Sequence, residues 1–321
     1  GSWDADGFMD AAGCACDGKG GGWHGEDVPC PFDAEVTGLA ALAFLGAGHD
    51  HESEGPFRDN VDRALAWLRV HRGRTLFAVS YATQALAEAH DMTGDDELRD
   101  AVEEGLATLL GCQQEQGGWR YFAGATMESG VPTTTAVVAA VRAAEECGFR
   151  VDDAWRERVL KWLDALVDRE TGRVKYTMNA EKLGYTPTTT NAASALLIRT
   201  WLGRPGGDPE VARGVKTVLK TKPKWSIRFK RMTVNGVERD VQIGYLQHYY
   251  WWHGTDALAR RGGSAWSSWN GALKKALLSK QRADGHFAGS WDPVGTYGNV
   301  GGRVYSTALC AMMLEAYYRY P

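Results

Sequence analysis

The stretches QQEQGGW (residues 113–119) and QRADGHFAGSW (residues 281–291) share one pattern: a glutamine, a glycine turn and a tryptophan. Each follows an amphipathic segment that ends near its glutamine. A glutamine at a helix C-terminus can donate to free carbonyl groups and to the turn backbone, and glycine allows a tight turn at positive φ. The large tryptophan ring can then cover the joint between two helices. The pattern predicts a clasp between neighbouring outer helices.

Weaker copies of this clasp recur along the chain about every fifty residues. Between them, small apolar segments alternate with amphipathic ones. A helix that is apolar all round is buried, and a helix with one apolar stripe covers it from outside. The apolar segments cover residues 37–48, 80–94, 132–148, 186–203, 241–262 and 303–320, and the amphipathic segments cover 57–72, 95–113, 151–168, 208–222 and 264–281.

Six inner and five outer helices predict an all-α (α/α)6 toroid of alternating inner and outer helices, with its first outer helix missing before residue 1. No Pro/Ser-rich linker divides the repeat. We therefore expect residues 1–36 to form a Cys/Gly-rich N-terminal loop segment and residues 37–321 to form a single α/α toroid domain.

The composition narrows the classes of partner. The 321 residues carry a net charge of −4 without a basic run, so nucleic acid is not an expected partner. The apolar runs are shorter than the ~20 residues of a membrane span, so no transmembrane segment is expected. The chain opens with Gly-Ser, which is typical of a cloning remnant. We expect a soluble domain, and excision from a longer or membrane-anchored protein fits this start; the compartment stays open.

The clasp resembles the QW motif of the prenyltransferase and squalene–hopene cyclase (terpenoid cyclase) superfamily. The segments VTGLAALAFLGAG, GGWRYFAG and RVYSTALCAMMLEAYYRY are also similar to bacterial single-toroid prenyltransferase/squalene-oxidase repeat proteins, whose activity is mostly unassigned. The resemblance implies the toroid fold and an apolar, isoprenoid-like ligand at its centre.

The catalytic motifs of that superfamily are not present in this sequence. A D-x-D-D acid motif is absent, because GDDEL (94–98) and VDDAW (151–155) have the wrong spacing and lie where aspartate caps a helix. The zinc triad of protein prenyltransferases would need cysteine and histidine where Ser290 and Ser306 stand, although Asp292 is present. Whether the protein is an enzyme therefore stays open.

A cluster of metal-ligand residue types lies near the N-terminus. Cys14, Cys16, His24 and Cys30 fall within CACDGKGGGWHGEDVPC, and three thiolates with one imidazole could hold a tetrahedral zinc ion. A disulfide from Cys14 or Cys16 to Cys30, or free thiols, would fit the same spacing. All three alternatives stay open, and the sequence calls for no other cofactor.

The segment QIGYLQHYYWWHGTDAL (242–258) places large aromatic residues on an inner helix. Tyr245, Tyr249 and Trp252 share one helical face, and His248 lies beside it. These rings could line a central cavity for an apolar small molecule, or they could fill the core. The alternative function is a non-catalytic scaffold that binds a peptide or protein in the toroid funnel. The candidate ligand-binding residues are Tyr81, Tyr245, His248, Tyr249, Trp252, Arg303 and Tyr305.

Overall fold

The computed structural model describes residues 1–3, 32–226, 228–234, 237–243, 247–283, 285–295 and 297–319. These residues form eleven α-helices, which we number in chain order. They are α1 Asp33–Gly46, α2 Arg58–Val70, α3 Leu76–Thr93, α4 Arg99–Gly111, α5 Val131–Glu146, α6 Ala154–Leu166, α7 Thr189–Trp201, α8 Pro209–Leu219, α9 His248–Arg261, α10 Gly263–Leu278 and α11 Gly298–Arg319. Two short 3-10 helices cover Asp96–Leu98 and Gly285–Phe287.

The odd-numbered helices form the inner layer of a closed toroid. Each packs against the next, and α11 returns to pack against α1. The even-numbered helices pack outside this ring. Outer α2 buries one stripe, whereas inner α5 is buried over most of its surface. The (α/α)6 toroid of six inner and five outer helices is therefore confirmed.

The clasp at residues 113–119 joins α4 to α6. Trp119 is fully buried, and its Nε1 donates to the carbonyl oxygen of Leu109 at 2.6 Å. Its ring lies edge-on to Trp155, with 6.3 Å between the centroids. Gln113 Nε2 donates to the carbonyl oxygens of Gly117 and Trp155. The glutamine thus ties its own turn to the start of the next outer helix.

The clasp at residues 281–291 has the same construction. Trp291 is buried, and its Nε1 donates to the carbonyl oxygen of Leu277 in α10 at 2.9 Å. Gln281 Nε2 donates to the carbonyl oxygen of Gly289 at 2.8 Å. Both tryptophans therefore lie at outer-helix ends, as the sequence predicts.

The fifth inner helix differs from its prediction. It begins at His248 rather than Val241, because an antiparallel hairpin precedes it: β1 Arg228–Val234 pairs with β2 Val237–Ile243. The strands RFKRMTV and VERDVQI contain β-branched residues, and the two residues between them are Asn-Gly. This dipeptide strongly favours a tight hairpin, and β-branched residues favour strands over a helix.

The longer loops lie at the amino ends of the inner helices. The connection from Leu166 to Thr189 is long and the one from Leu219 to His248 contains the hairpin, whereas Arg261 and Gly263 are almost adjacent. Binding residues concentrate on loops carried by a rigid scaffold. The amino ends of the inner helices are therefore where a functional site is expected.

The start of the toroid lies close to the boundary expected from the sequence. The first inner helix begins at Asp33, while residues 4–31 lie outside the described part of the chain, so the proposed division at residue 36 stays a prediction.

Within the described residues, every helix is too short or too polar to cross a bilayer.

Candidate active site

Three tyrosines from three inner helices meet on the side of the toroid where the inner helices begin. Tyr81 of α3 and Tyr249 of α9 are buried, and Trp252 lies between them with ring centroids at 6.3 Å and 6.2 Å. Tyr305 of α11 completes this group. Burial raises the pKa of all three hydroxyls above the usual tyrosine value. Tyr81 raises the pKa of Tyr249 and Tyr305 further, whereas Glu35 and Tyr121 do so for Tyr81. We call Tyr81, Tyr249 and Tyr305 the tyrosine floor; its hydroxyls stay protonated.

Five aromatic residues from the long loops surround this floor. We call them the aromatic rim: Tyr121, Phe122, Tyr176, Tyr185 and Tyr297. Phe122, Tyr185 and Tyr297 are 43%, 52% and 52% exposed. Tyr121 contacts Phe122 at 4.7 Å between centroids, and Tyr176 contacts Tyr185 at 5.4 Å. A contiguous group of exposed aromatic residues often marks a binding surface, whereas single exposed rings are ordinary.

The rim and the floor form one continuous surface. The rings of Tyr297 and Tyr249 lie 6.3 Å apart, so the exposed layer continues into the buried one. Tyrosine offers an apolar ring face and a polar hydroxyl in one side chain. The surface can therefore bind a ligand that combines apolar faces with many hydrogen-bonding groups.

A buried carboxyl group lies beneath this surface. Glu35, in the first turn of α1, is 8% exposed. Its Oε1 accepts a hydrogen bond from Thr75 Oγ1 at 2.6 Å, and its Oε2 has no hydrogen-bond partner in the described structure. Burial raises the pKa of this carboxyl, and the charge of Asp33 raises it further, against the lowering effect of the Thr75 bond. Such a group can hold a proton at a pH where an ordinary glutamate has lost it.

Thr75 also fixes the loop that carries part of the aromatic rim. It pairs with Phe122 in an isolated antiparallel β-bridge, and the Leu76 N–H donates to the carbonyl oxygen of Tyr121 at 2.9 Å. Tyr121 is thereby held close to Glu35. Burial, with a contribution from Glu35, raises the pKa of the Tyr121 hydroxyl to about 12.

A histidine–serine pair lies behind the tyrosine floor. His253 Nδ1 is 2.7 Å from Ser194 Oγ, and the imidazole ring is 4.0 Å from the ring of Tyr249. Burial lowers the pKa of His253 to about 3, so the ring is neutral at physiological pH. The uncharged ring bonds Ser194 and packs against the ring of Tyr249.

Four of the predicted ligand-binding residues come together, and two lie elsewhere. Tyr81, Tyr249, Trp252 and Tyr305 meet at the tyrosine floor, whereas Tyr245 lies outside the described residues. His248 instead packs between Trp225 and Trp251, with centroid distances of 5.5 Å and 5.7 Å.

Arg303 takes part in a separate ion pair. Its Nη1 donates to Ser290 Oγ and its Nη2 to Asp292 Oδ1, both at 2.9 Å, while its guanidinium covers the Phe287 ring at 3.9 Å. The arginine thus holds the loop that leads into α11. A ligand-binding role for Arg303 and for His248 stays a prediction.

The sequence does not single out Glu35 or Thr75. The one signal for Glu35 is its place in DAEVTGLAALAFLG, a helix in which all residues other than Asp33, Glu35 and Thr37 are apolar or glycine. An acidic residue in a first helical turn is common, because it offsets the partial positive charge there. Only the buried contact with Thr75 distinguishes this glutamate.

Candidate metal ligands fall into two groups of residues. The predicted zinc ligands Cys14, Cys16, His24 and Cys30 lie outside the described residues, so zinc binding stays a prediction. In the described part, one group of suitable side chains exists: His51, Glu52 and Asp95. His51 Nε2 lies 3.0 Å from Asp95 Oδ2, and this contact ties the loop after α1 to the segment before α4.

Among the described residues, the space behind the tyrosine floor is small. Beyond Trp252, the space along the axis has a volume of about 30 Å³, which is room for about one water molecule. A larger cavity of about 490 Å³ opens at the carboxyl ends of α3, α5, α7 and α9, and charged side chains line it: Glu88, Asp91, Arg142, Glu146, Asp256 and Arg260. Trp252 therefore leaves little free volume on the axis behind it, and charged side chains contribute much of the lining of the larger cavity.

Comparisons with known proteins identify the fold. No protein-family model matches the chain, and no curated protein matches it. One similar solved structure is an inactive variant of the α-1,6-mannanase GH76A of Salegentibacter sp. HEL1_6 in complex with α-1,6-mannotetrose. It is 12% identical to this chain with a TM-score of 0.60, and the match covers 92% of this chain and 90% of that one. Cellobiose 2-epimerase from Bacillus thermoamylovorans is 12% identical with a TM-score of 0.58, covering 88% and 87%.

A third similar structure is the family 76 glycoside hydrolase (mannosidase) Bt3792 from Bacteroides thetaiotaomicron, which is 11% identical with a TM-score of 0.55 and coverage of 94% and 90%. At these identities the similarity shows the toroid fold alone.

The comparisons correct the functional expectations drawn from the sequence. The assignment to the prenyltransferase and terpenoid cyclase superfamily is wrong, because the matching structures are family 76 mannanases and a sugar epimerase. The expected apolar or isoprenoid ligand is wrong for the same reason, since the neighbours that hold a ligand hold mannooligosaccharides. The alternative of a peptide-binding scaffold gains no support from these neighbours.

Proposed function

We propose that the protein binds and processes a carbohydrate at the surface formed by the aromatic rim and the tyrosine floor. One observation carries this proposal: exposed aromatic rings continue into a layer of tyrosine hydroxyls above a buried carboxyl group. A sugar ring has apolar C–H faces and a hydroxyl-rich edge. Aromatic faces and tyrosine hydroxyls can satisfy both at once.

The similar structures support the same class of ligand. The Salegentibacter protein is an α-1,6-mannanase in complex with α-1,6-mannotetrose, and the Bacillus protein is a cellobiose 2-epimerase. These names suggest the first probes, α-1,6-mannotetrose and cellobiose. In this chain the long loops at the amino ends of the inner helices carry the aromatic rim of the proposed surface.

The proposal is tested by measuring binding and product formation. Isothermal titration calorimetry with α-1,6-mannotetrose, cellobiose and a β-1,4-linked mannan oligosaccharide should find at least one ligand. Chromatography of the same mixtures should reveal a shortened or isomerised sugar. Tyr297→Ala should weaken binding about tenfold, because it removes an exposed ring that touches the floor.

Tyr317→Ala is the matched control. This tyrosine is 71% exposed and lies near the carboxyl end of α11, where its ring contacts Lys274. Its removal should leave sugar affinity unchanged. Absence of binding to every oligosaccharide, or equal losses in the two variants, would rule out the proposed site.

A further inference from the structure

We infer that Glu35 is the proton donor of this site, that its Oε2 carries the transferable proton, and that Thr75 positions it. The inference rests on the proposed carbohydrate function and names the residue that supplies the proton when a glycosidic bond is cleaved.

The hydrogen bonds of Thr75 decide which oxygen of Glu35 carries the proton. Thr75 Oγ1 accepts the backbone N–H of Ala78 at 3.0 Å, so it caps α3. A hydroxyl has one proton, and the contact of 2.6 Å to Glu35 Oε1 takes it. Oε1 is therefore the accepting oxygen. With Thr75 donating to Oε1, the proton of the neutral carboxyl group is on Oε2, which no group in the described residues binds.

The surroundings of Glu35 favour its neutral form. Asp33 is the nearby charge from its own helix, Tyr81 faces it from α3, and Tyr121 faces it from the loop before α5. On the side of α11, Val304 and Tyr305 pack against Val36. A cation that would hold the carboxylate ionised is absent from this described set. Burial and Asp33 therefore raise its pKa.

A buried donor without an acceptor is uncommon in folded proteins. More than nine-tenths of buried polar groups have a partner, and exceptions occur where a ligand or water completes the bond. The tyrosines that adjoin Glu35 belong to the floor and the rim, so the missing acceptor would come from the side where the sugar is proposed to bind. The oxygen of a glycosidic linkage is such an acceptor.

Glu35 gives up one proton and regains one during the reaction. The Oε2–H bond of Glu35 breaks and its proton goes to the linkage oxygen, which keeps the electron pair of the breaking bond to the sugar carbon. Water adds its hydroxyl to that carbon. The remaining proton of that water returns to Glu35, so the carboxyl group ends in its starting state.

Glu35→Gln separates acid catalysis from folding. Glutamine has the same shape, and its Oε1 can still accept from Thr75, so the fold should persist. With an α-1,6-linked mannotriose, which has a poor leaving group, kcat/KM should fall about 10²–10⁴-fold. With 2,4-dinitrophenyl α-mannoside, whose dinitrophenolate leaving group departs without protonation, the fall should be less than about tenfold. Glu103→Gln, on the exposed side of α4, is the control and should change neither.

Thr75 is tested as a positioning residue through the pH profile. Thr75→Val removes the donor to Oε1, a bond that lowers the pKa of Glu35. The alkaline limb of kcat/KM should therefore move to higher pH. Thr75→Ser keeps the hydroxyl, its bond to Glu35 Oε1 and the helix cap, so it should show the wild-type pH profile of kcat/KM. A purely structural role would lower activity without moving the limb.

The failure of this inference can be told from the failure of the proposed function. Equal losses on the two mannosides, or full activity of Glu35→Gln on mannotriose, would reject Glu35 as the donor while carbohydrate processing stands. Wild-type protein that binds oligosaccharides and cleaves none would reject the donor role and leave binding intact. Wild-type protein that binds no oligosaccharide would reject both.

Discussion

A β-carbon placed on Gly38 would lie 2.7 Å from the Cβ of Tyr81 and 3.0 Å from its carbonyl carbon. Glycine therefore lets α1 and α3 approach closely at the level of the tyrosine floor. The atoms in conflict belong to a helix backbone and to the root of a buried side chain, which cannot turn away. We expect Gly38→Ala to lower the free energy of unfolding by about 1–3 kcal/mol, the scale of overpacking a core, as measured by urea denaturation.

Gly271→Ala is the control for this substitution. Gly271 lies in outer helix α10, and nothing is within 4 Å of where its β-carbon would be. Alanine there should stabilise the protein by about 0.5–1 kcal/mol, because glycine is the poorer helix former. Equal effects at Gly38 and Gly271 would mean that the helices do not meet as closely as described.

The tryptophan clasp should be a large single contribution to stability. Trp119 is fully buried and also donates to Leu109. We expect Trp119→Ala to lower the free energy of unfolding by about 3–5 kcal/mol, as for other large core truncations. Gln113→Ala should cost about 1–2 kcal/mol, since it loses bonds to two carbonyl groups. Gln116→Ala, exposed in the same turn, should stay within about 0.5 kcal/mol of wild type.

The fold could be predicted from the sequence because its repeat is expressed locally. Apolar and amphipathic segments alternate, and each clasp carries its own glutamine, glycine and tryptophan. The hairpin at Arg228–Ile243 could not be found from apolar content alone, since strand and helix segments of that length look alike. The Asn-Gly dipeptide was the available signal.

The site could be predicted only in part. Tyr249 and Trp252 lie on one helix face, so their proximity follows from periodicity, and the toroid brings Tyr81 to them. Whether such rings line a cavity or fill the core depends on three-dimensional packing that no local pattern encodes. The pair of Glu35 and Thr75 spans forty residues of sequence, and only the contact between α1 and α3 joins it.

Two buried histidines should weaken the protein at acid pH. Burial lowers the pKa of His248 to about 4 and that of His253 to about 3, so both must stay neutral in the folded state. The unfolded chain binds these protons below about pH 6.5. The stability that the neutral rings provide is complete above that value. It is lost progressively as pH falls towards about 4 for His248 and about 3 for His253.

His248→Phe tests this pH dependence at one position. The shift from 6.5 to about 4 corresponds to about 3 kcal/mol. The loss of unfolding free energy between pH 7 and pH 4 should therefore be smaller by about that amount in the variant. His71→Gln, at an exposed position, should keep the wild-type dependence. An unchanged slope in His248→Phe would show that the ring is accessible to protons in the folded state.

Glu35 should affect stability in the opposite sense. Its pKa in the folded protein is raised above the ordinary value of 4.5, so the folded state holds this proton at a pH where the unfolded chain has released it. The stabilisation by the neutral carboxyl is complete below pH 4.5. It declines as pH rises from there through the pKa of the folded state.

Glu35→Gln removes this titration and keeps the side-chain shape. Relative to the variant, wild-type protein should be most stable below pH 4.5 and should lose that advantage as pH rises through the folded-state pKa of Glu35, as measured by urea unfolding at each pH. Glu103→Gln, an exposed carboxylate on α4, should give a nearly flat difference over the same range. A wild-type advantage that instead grows as pH rises would mean that Glu35 is stabilised as a carboxylate. The folded state would then hold no proton on Oε2 to donate.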